Sequence, residues 1–456
     1  MIGSTNHSNP IYDVIGIGIG PFNLGLAALL DSVSEVQSLF LEKEREFNWH
    51  PDMLIEGTTL QVPFLADLVS MVDVKSSYSF LNYLQEHNRL YHFYFFEKFH
   101  IPRREYNHYC RWVSEQLKPC RFGMNVQKVN PIEQQSGQIV YEVTAWNEQT
   151  EALEQYVTKH IVMGIGSIPS VPEHVKDHLG ASVFHTADYL SNKETCREAD
   201  SIAVIGSGQS AAEVFLDIAK NQQDQDVSLQ WYTRSKGFFP MEYSKLGLEY
   251  FSPEYIDFFY ELPQIKKDKL LKEQDLLYKG ISSDTIAEIY DYLYESSIGN
   301  EYPDIHLQAM TEIISLEKKE DNLRLVGYHH VNEEYFEVEV DLIILGTGYK
   351  PKLPEFLDDM KEWIDIDDHG RYKVKKGYGL ETCLSTDHEI FVQNGELHTH
   401  GVGAPDLGLG AHRNAVIINQ IAGREVYTLY SEHVFQTFGI HRKTEKTLSN
   451  SFSEMD

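Results

Sequence analysis

The sequence predicts an α/β protein with two Rossmann-like dinucleotide-binding units and a small helical subdomain set between them. Three observations carry this. The apolar strand Tyr12-Asp13-Val14-Ile15-Gly16 runs into a glycine-rich turn and a helix over 24–30. A second strand, Ser201-Ile202-Ala203-Val204-Ile205, does the same through Gly206-Ser207-Gly208 and a helix over 210–220. From 251 to 297 the texture changes, with Tyr255, Phe258, Phe259, Ile286, Ile289 and Leu293 at helical spacing among charges.

Two strand–turn–helix starts in one chain mean two nucleotide-binding units. Further apolar strands, 161–165 and 341–345, each end in a glycine turn. The expected division gives the first unit 10–169 and 336–436, and the second unit 170–240 and 305–335. The helical subdomain takes 241–304. A flexible tail, rich in Ser, Thr, Lys and Glu, takes 437–456.

Composition excludes several classes of function. The chain of 456 residues carries a net charge of −30, which repels nucleic acid and anionic lipid. There is no apolar run of membrane-spanning length, and the polar start lacks a signal-peptide pattern. Cys110, Cys120, Cys196 and Cys383 lie far apart in sequence, as in a reducing compartment. The expected location is the cytoplasm, with self-association into a homo-oligomer left open.

The turns carry the chemistry. In Gly16-Ile17-Gly18-Ile19-Gly20-Pro21-Phe22-Asn23-Leu24, the best register places Gly18 and Gly20 at the phosphate turn, with Asn23 where a third glycine is usual. Glu42 ends the next strand, roughly 20 positions on, where a ribose-binding acid is expected. An acid without a nearby arginine suits FAD. The second turn offers Gly206, Gly208, Gln209, Ser210 and Glu213, and its next strand ends in Arg234. A cation there pairs with a 2′-phosphate, so NADPH is preferred over NADH. His398 and His400 lack a third ligand nearby, and no metal site is expected. Trp49 and Tyr83 read equally well as flavin neighbours or as core.

The order of these motifs resembles the class B flavin monooxygenases. Within them it resembles the microbial N-hydroxylases of lysine, ornithine and related amines in siderophore biosynthesis. The matching segments include Gly18 to Leu24, Trp49-His50-Pro51, Leu60-Gln61-Val62 and Phe64-Leu65-Ala66-Asp67-Leu68. Others are Arg103-Arg104-Glu105-Tyr106, Phe251-Ser252-Pro253-Glu254-Tyr255, Gly346-Thr347-Gly348-Tyr349 and Thr399-His400-Gly401. The resemblance spans roughly residues 10 to 425. It implies that NADPH reduces FAD, that O2 adds at flavin C4a, and that the neutral nitrogen of a small primary amine attacks the distal oxygen of that hydroperoxide. It further implies that Trp49, His50, Gln61, His400 and Leu407 border the isoalloxazine. The chemistry is flavin-borne, and no side chain is named as catalytic acid or base.

Two departures bear on the substrate. Relatives that act on amino acids carry a lysine where this chain has Ala66, and an Asn or Asp where it has Leu248, just before Glu249. Losing both anchors predicts a substrate without an α-carboxylate: putrescine, cadaverine or histamine. If Lys75 or Lys245 holds a carboxylate instead, the chain is a lysine or ornithine side-chain hydroxylase. An uncoupled NADPH oxidase or a non-catalytic nucleotide-binding sensor are the remaining readings. A disulfide reductase is excluded by the lack of a close cysteine pair.

Overall fold

Strand Ile11–Ile17 is apolar on both faces, and from Val14 onward it is buried, as a central parallel strand must be. In the computed structural model, which describes residues 3–4, 10–221, 227–300, 302–320 and 322–440, this strand pairs in parallel with Ser38–Glu42 on one side and Ala152–Met163 on the other. Cys120–Phe122 extends the parallel edge. On its other edge strand Ala152–Met163 has two further partners. Its first half pairs antiparallel with Ile139–Asn147, and its last three residues pair in parallel with Ile390–Val392. Helix Pro21–Leu30 is apolar almost all round and correspondingly buried, packed against helix Gly410–Ala422.

The second sheet is wholly parallel, in the order Ile305–Gln308, Ser228–Tyr232, Ser201–Ile205, Leu342–Leu345, Val183–His185. Leu342–Leu345 therefore corrects the expected division, which began the returning part of the first unit at 336. The strand aligns Ile202 with Leu342, and its side chains join the cores of the second unit. A three-stranded antiparallel sheet, Thr311–Lys318, Leu323–His329 and Glu334–Val340, precedes it.

Among the described residues, the stretch 241–304 holds four α-helices, Lys245–Leu248, Pro253–Tyr260, Gln264–Glu273 and Ser283–Ser296. Ser252 caps the second and Ser282 the fourth. They divide their allegiance. Ile289 of the last helix sits in the core of the second unit, whereas Tyr255 and Phe259 pack with Val402 of the first. The chain end closes over this region. Glu249 accepts hydrogen bonds from Phe435 N and Gln436 N, Glu254 accepts from His433 N, and Phe438 lies against Tyr250, Tyr255 and Phe258. Of the tail expected at 437–456, only 437–440 fall within the described residues, so the expectation for the rest lies outside them.

One side chain ties the first unit together at its glycine turn. Asn23 is fully buried; its Nδ2 donates to Gly18 O at 2.8 Å and Val162 O at 3.1 Å, and its Oδ1 accepts from Gln393 Nε2 at 2.8 Å. These partners come from the turn and from the ends of two neighbouring strands. Asn23→Leu keeps the volume but strands these groups, a cost of about 2–4 kcal/mol. The expected outcome is a lower melting temperature together with loss of bound flavin, read from the yellow absorbance of the purified protein. Unchanged flavin content would show that the turn holds its shape without Asn23.

Candidate active site

The first turn is shaped to receive an anion. Gly18 has φ +84°, and a Cβ there would lie 2.6 Å from Gly164 O. Helix Pro21–Leu30 begins at Gly20 with no side chain capping it, so its first N–H groups are free for a pyrophosphate. Glu42 reaches this turn, its carboxylate accepting from Ile19 N at 2.7 Å and Glu44 N at 3.0 Å. Asn23 and Leu24, expected as cofactor contacts, are both fully buried. Asn23 builds the turn through its bonds to Gly18 O and Val162 O.

On the flavin side, Trp49 donates its N–H to Asn107 Oδ1 at 2.7 Å and stands edge-on to Tyr106 at 5.2 Å. His50 adopts a left-handed backbone, φ +48°, and meets Tyr349 edge-on at 5.7 Å. Leu407 shares a cleft with Pro21, Phe22, Tyr106 and Asn414. Gln61 Nε2 and Asn414 Oδ1 are buried without partners. A buried orphan donor and a buried orphan acceptor are what a flavin's pyrimidine edge satisfies, so these residues fit FAD. His400 corrects the expectation. It is fully buried, with Nε2 on Lys376 O at 3.2 Å, Nδ1 beside Thr399 Oγ1 at 2.9 Å, and its ring stacked on Tyr378. Burial lowers its pKa to about 3, so it is a neutral brace behind the 401–409 loop.

The second turn is tighter. Gly206 has φ +145°, and a Cβ would fall 2.0 Å from Gly346 O. In front of Gly208 nothing lies within 4 Å, and Ser210 stands in the first helical turn, so the face is open to NADPH. Arg234 is 79% exposed and only loosely opposed by Glu312 at 4.0 Å. Ser207 and Ser235 hydroxyls lie 2.9 Å apart beside it, as further donors for a phosphate. Gln209 and Glu213 are reassigned. Gln209 bonds to Ser282 N, Thr285 Oγ1 and Glu213, and Glu213 is clasped by Arg103. Both are committed to protein partners.

On the substrate side, Ala66 is buried and faces the 406–409 loop; a Cβ on Gly408 would lie 2.8 Å from Asp406 Oδ1 and 3.8 Å from Ala66 Cβ. Burial raises the Asp406 carboxyl to about 6, while the Gly408 and Leu409 N–H groups restrain it. Tyr243 is close enough for that carboxylate, after burial, to push its hydroxyl up. Leu248 is 41% exposed. Glu249, which the same motif puts forward with Ala66 and Leu248 as a substrate contact, instead has its oxygens taken by the Phe435–Gln436 segment. Lys75 and Lys245 are both exposed. Asp406, Asn414 and Arg103 were not picked out as site residues in the sequence. Asp406 alone had a local signal, an acid ahead of a helix start.

A family model for L-lysine 6-monooxygenase/L-ornithine 5-monooxygenase matches residues 10–351. The chain belongs to this family. It is 41% identical to the putrescine N-hydroxylase of Shewanella oneidensis, over 94% of this chain and 84% of that protein. It is 43% identical to the rhizobactin siderophore biosynthesis protein RhbE of Rhizobium meliloti, covering 94% and 95%. Among solved structures, the FAD-bound cadaverine monooxygenase DfoA of Erwinia amylovora superposes with a TM-score of 0.90 at 37% identity, covering 95% and 99%.

The family member described here is an NADPH-dependent flavin N-monooxygenase with FAD and NADPH as cofactors. When bound, the flavin supplies the activation of O2. The chain's own part is to seat two dinucleotides at two open helix starts. Arg234→Ala is expected to raise the KM for NADPH about tenfold or more and leave that for NADH nearly unchanged. Equal changes for both, in steady-state titrations, would show that Arg234 does not pair with the 2′-phosphate.

Proposed function

We propose that this hydroxylase acts on one end of a short aliphatic diamine, putrescine or cadaverine, in siderophore biosynthesis. The observation that carries the reading is the charge beside Ala66. Where a cation would clamp an α-carboxylate there is a methyl group, and the Asp406 carboxylate lies across Gly408 from it, a Cβ added there falling 2.8 Å from Asp406 Oδ1 and 3.8 Å from Ala66 Cβ. An amino-acid substrate would bring its carboxylate against that acid, and the two negative charges would repel. A diamine brings an ammonium instead. Its far end pairs with Asp406 while its near end, neutral, is presented for oxidation. Histamine would leave Asp406 with a mostly neutral ring. The names of the relatives, putrescine N-hydroxylase and cadaverine monooxygenase, support the same class.

Hydroxylamine product on matched pairs tests this. Putrescine and cadaverine are expected to exceed ornithine and lysine at least about tenfold in kcat/KM, since one charged contact contributes on the order of 1.5–3 kcal/mol. Ala66→Lys should narrow the gap. Asp406→Asn keeps the size of the side chain while removing its charge and is expected to raise the KM for putrescine about tenfold with little effect on a monoamine. Preference of the wild type for ornithine or lysine would overturn the reading.

The pH dependence follows from the same acid. Asp406 is ionised above about 6 and protonated below, so the KM for putrescine should climb as pH falls through 6. Turnover should rise separately toward alkaline pH, because only the unprotonated nitrogen reacts. A KM that stays flat between pH 5 and 7, in buffers of about constant ionic strength, would exclude Asp406 as the ammonium's partner.

A further inference from the structure

The two nucleotide-binding units meet through one buried polar chain. Arg103 opens helix Arg103–Gln116 of the first unit, and Glu213 lies in the second turn of helix Gln209–Asn221 of the second. The guanidinium forks onto the carboxylate, 2.8 Å from NH1 to Oε2 and 2.6 Å from NH2 to Oε1. Their side chains are only 12% and 3% exposed. NH1 also donates to Met53 O at 3.2 Å. Behind Glu213 the chain continues, since Gln209 Nε2 donates to its Oε1 at 2.8 Å while Gln209 Oε1 accepts from Ser282 N at 2.7 Å. Met53 and Ile55 of the first unit extend the seam as apolar contacts within the core of the second, and Asp52 accepts from Ser191 N and Oγ.

The position of Glu213 is electrostatically awkward. Four residues into a helix is a rise of about 6 Å from its start, and that start is the turn shaped for a dinucleotide's phosphates. An uncompensated carboxylate there opposes the positive end of the helix and repels a pyrophosphate. Its compensating charge is not on its own unit. Among the described residues the cation paired with Glu213 is Arg103, which the other unit supplies.

We propose that Arg103 is a positioning residue that couples NADP(H) binding to docking of the two units, by neutralising Glu213 beneath the phosphate turn. With the seam formed, the turn attracts the dinucleotide. With the seam parted, the bare carboxylate weakens it. Linkage makes this reciprocal: bound NADP⁺ holds the seam shut, which keeps the nicotinamide over the flavin and water away from the reacting centre.

The two partners are thereby expected to have unequal effects, which a mere staple would not produce. In FAD-loaded protein, NADP⁺ affinity is measured by calorimetric titration, alongside melting temperature and hydroxylamine formed per NADPH consumed. Arg103→Gln is expected to weaken NADP⁺ about tenfold or more, whereas Glu213→Gln is expected not to weaken it. The double variant should return to within about threefold of the wild type. All three should form less hydroxylamine per NADPH, because the fork is lost. Arg103→Lys, which keeps charge without the fork, should retain affinity while lowering that ratio, and serves where Arg103→Gln does not fold. Glu213→Gln weakening NADP⁺ as much as Arg103→Gln, a double variant no better than Arg103→Gln, or Arg103→Lys losing affinity tenfold would each overturn the proposal.

Discussion

At the carboxyl edge of each parallel sheet two chain segments cross closer than a side chain allows, Gly18 beneath the carbonyl of Gly164 and Gly206 beneath that of Gly346. The crossings fix where each strand must stop and its helix begin, so a row of unclaimed N–H groups ends up above the sheet edge. Everything functional is arranged around those two places. Glu42 ends one strand next door and Arg234 lies two residues past the end of the other, Asn23 braces the first crossing from below, and Leu407 lines a cleft with Pro21 and Phe22 at the start of the first helix.

Because the backbone device is the same in both units, selectivity comes from the side chains brought to it. An acid at the first turn suits a free ribose, and an exposed arginine at the second suits a 2′-phosphate. The proposed diamine site follows the same logic with the sign of the charge reversed. Asp406 stands at a helix start, and its carboxylate lies across Gly408 from Ala66. Satisfying local backbone N–H groups keeps that acid ordered, while burial keeps it only moderately acidic, a compromise suited to a partner that must come and go.

Both turns were legible in the sequence because each is local: strand, glycines and helix follow one another within about a dozen residues. The misread residues share the opposite property. Glu213 looked like part of the dinucleotide turn, but its partner Arg103 is 110 positions away. Asn23 is bound to Gln393, 370 positions on, and Glu249 to Gln436, 187 positions on. His400 stood in a family motif, yet it is turned onto the backbone of Lys376. The strand Leu342–Leu345 was recognised as a strand, but an apolar run does not say which sheet it joins.

The splitting of strand Ala152–Met163 between two kinds of partner has a consequence for biosynthesis. Its final parallel neighbour, Ile390–Val392, is made long after it; His160 and Glu389, hydrogen-bonded across that joint, are 229 positions apart. The second unit, whose parallel strands all fall between 183 and 345, is complete in sequence first. A nascent chain thus carries a finished reductant-binding unit while the edge of its flavin sheet still waits for a strand. Synthesis halted between 345 and 390 would leave a protein equipped to hold NADPH but lacking Leu407, Asn414 and the helix that backs the flavin.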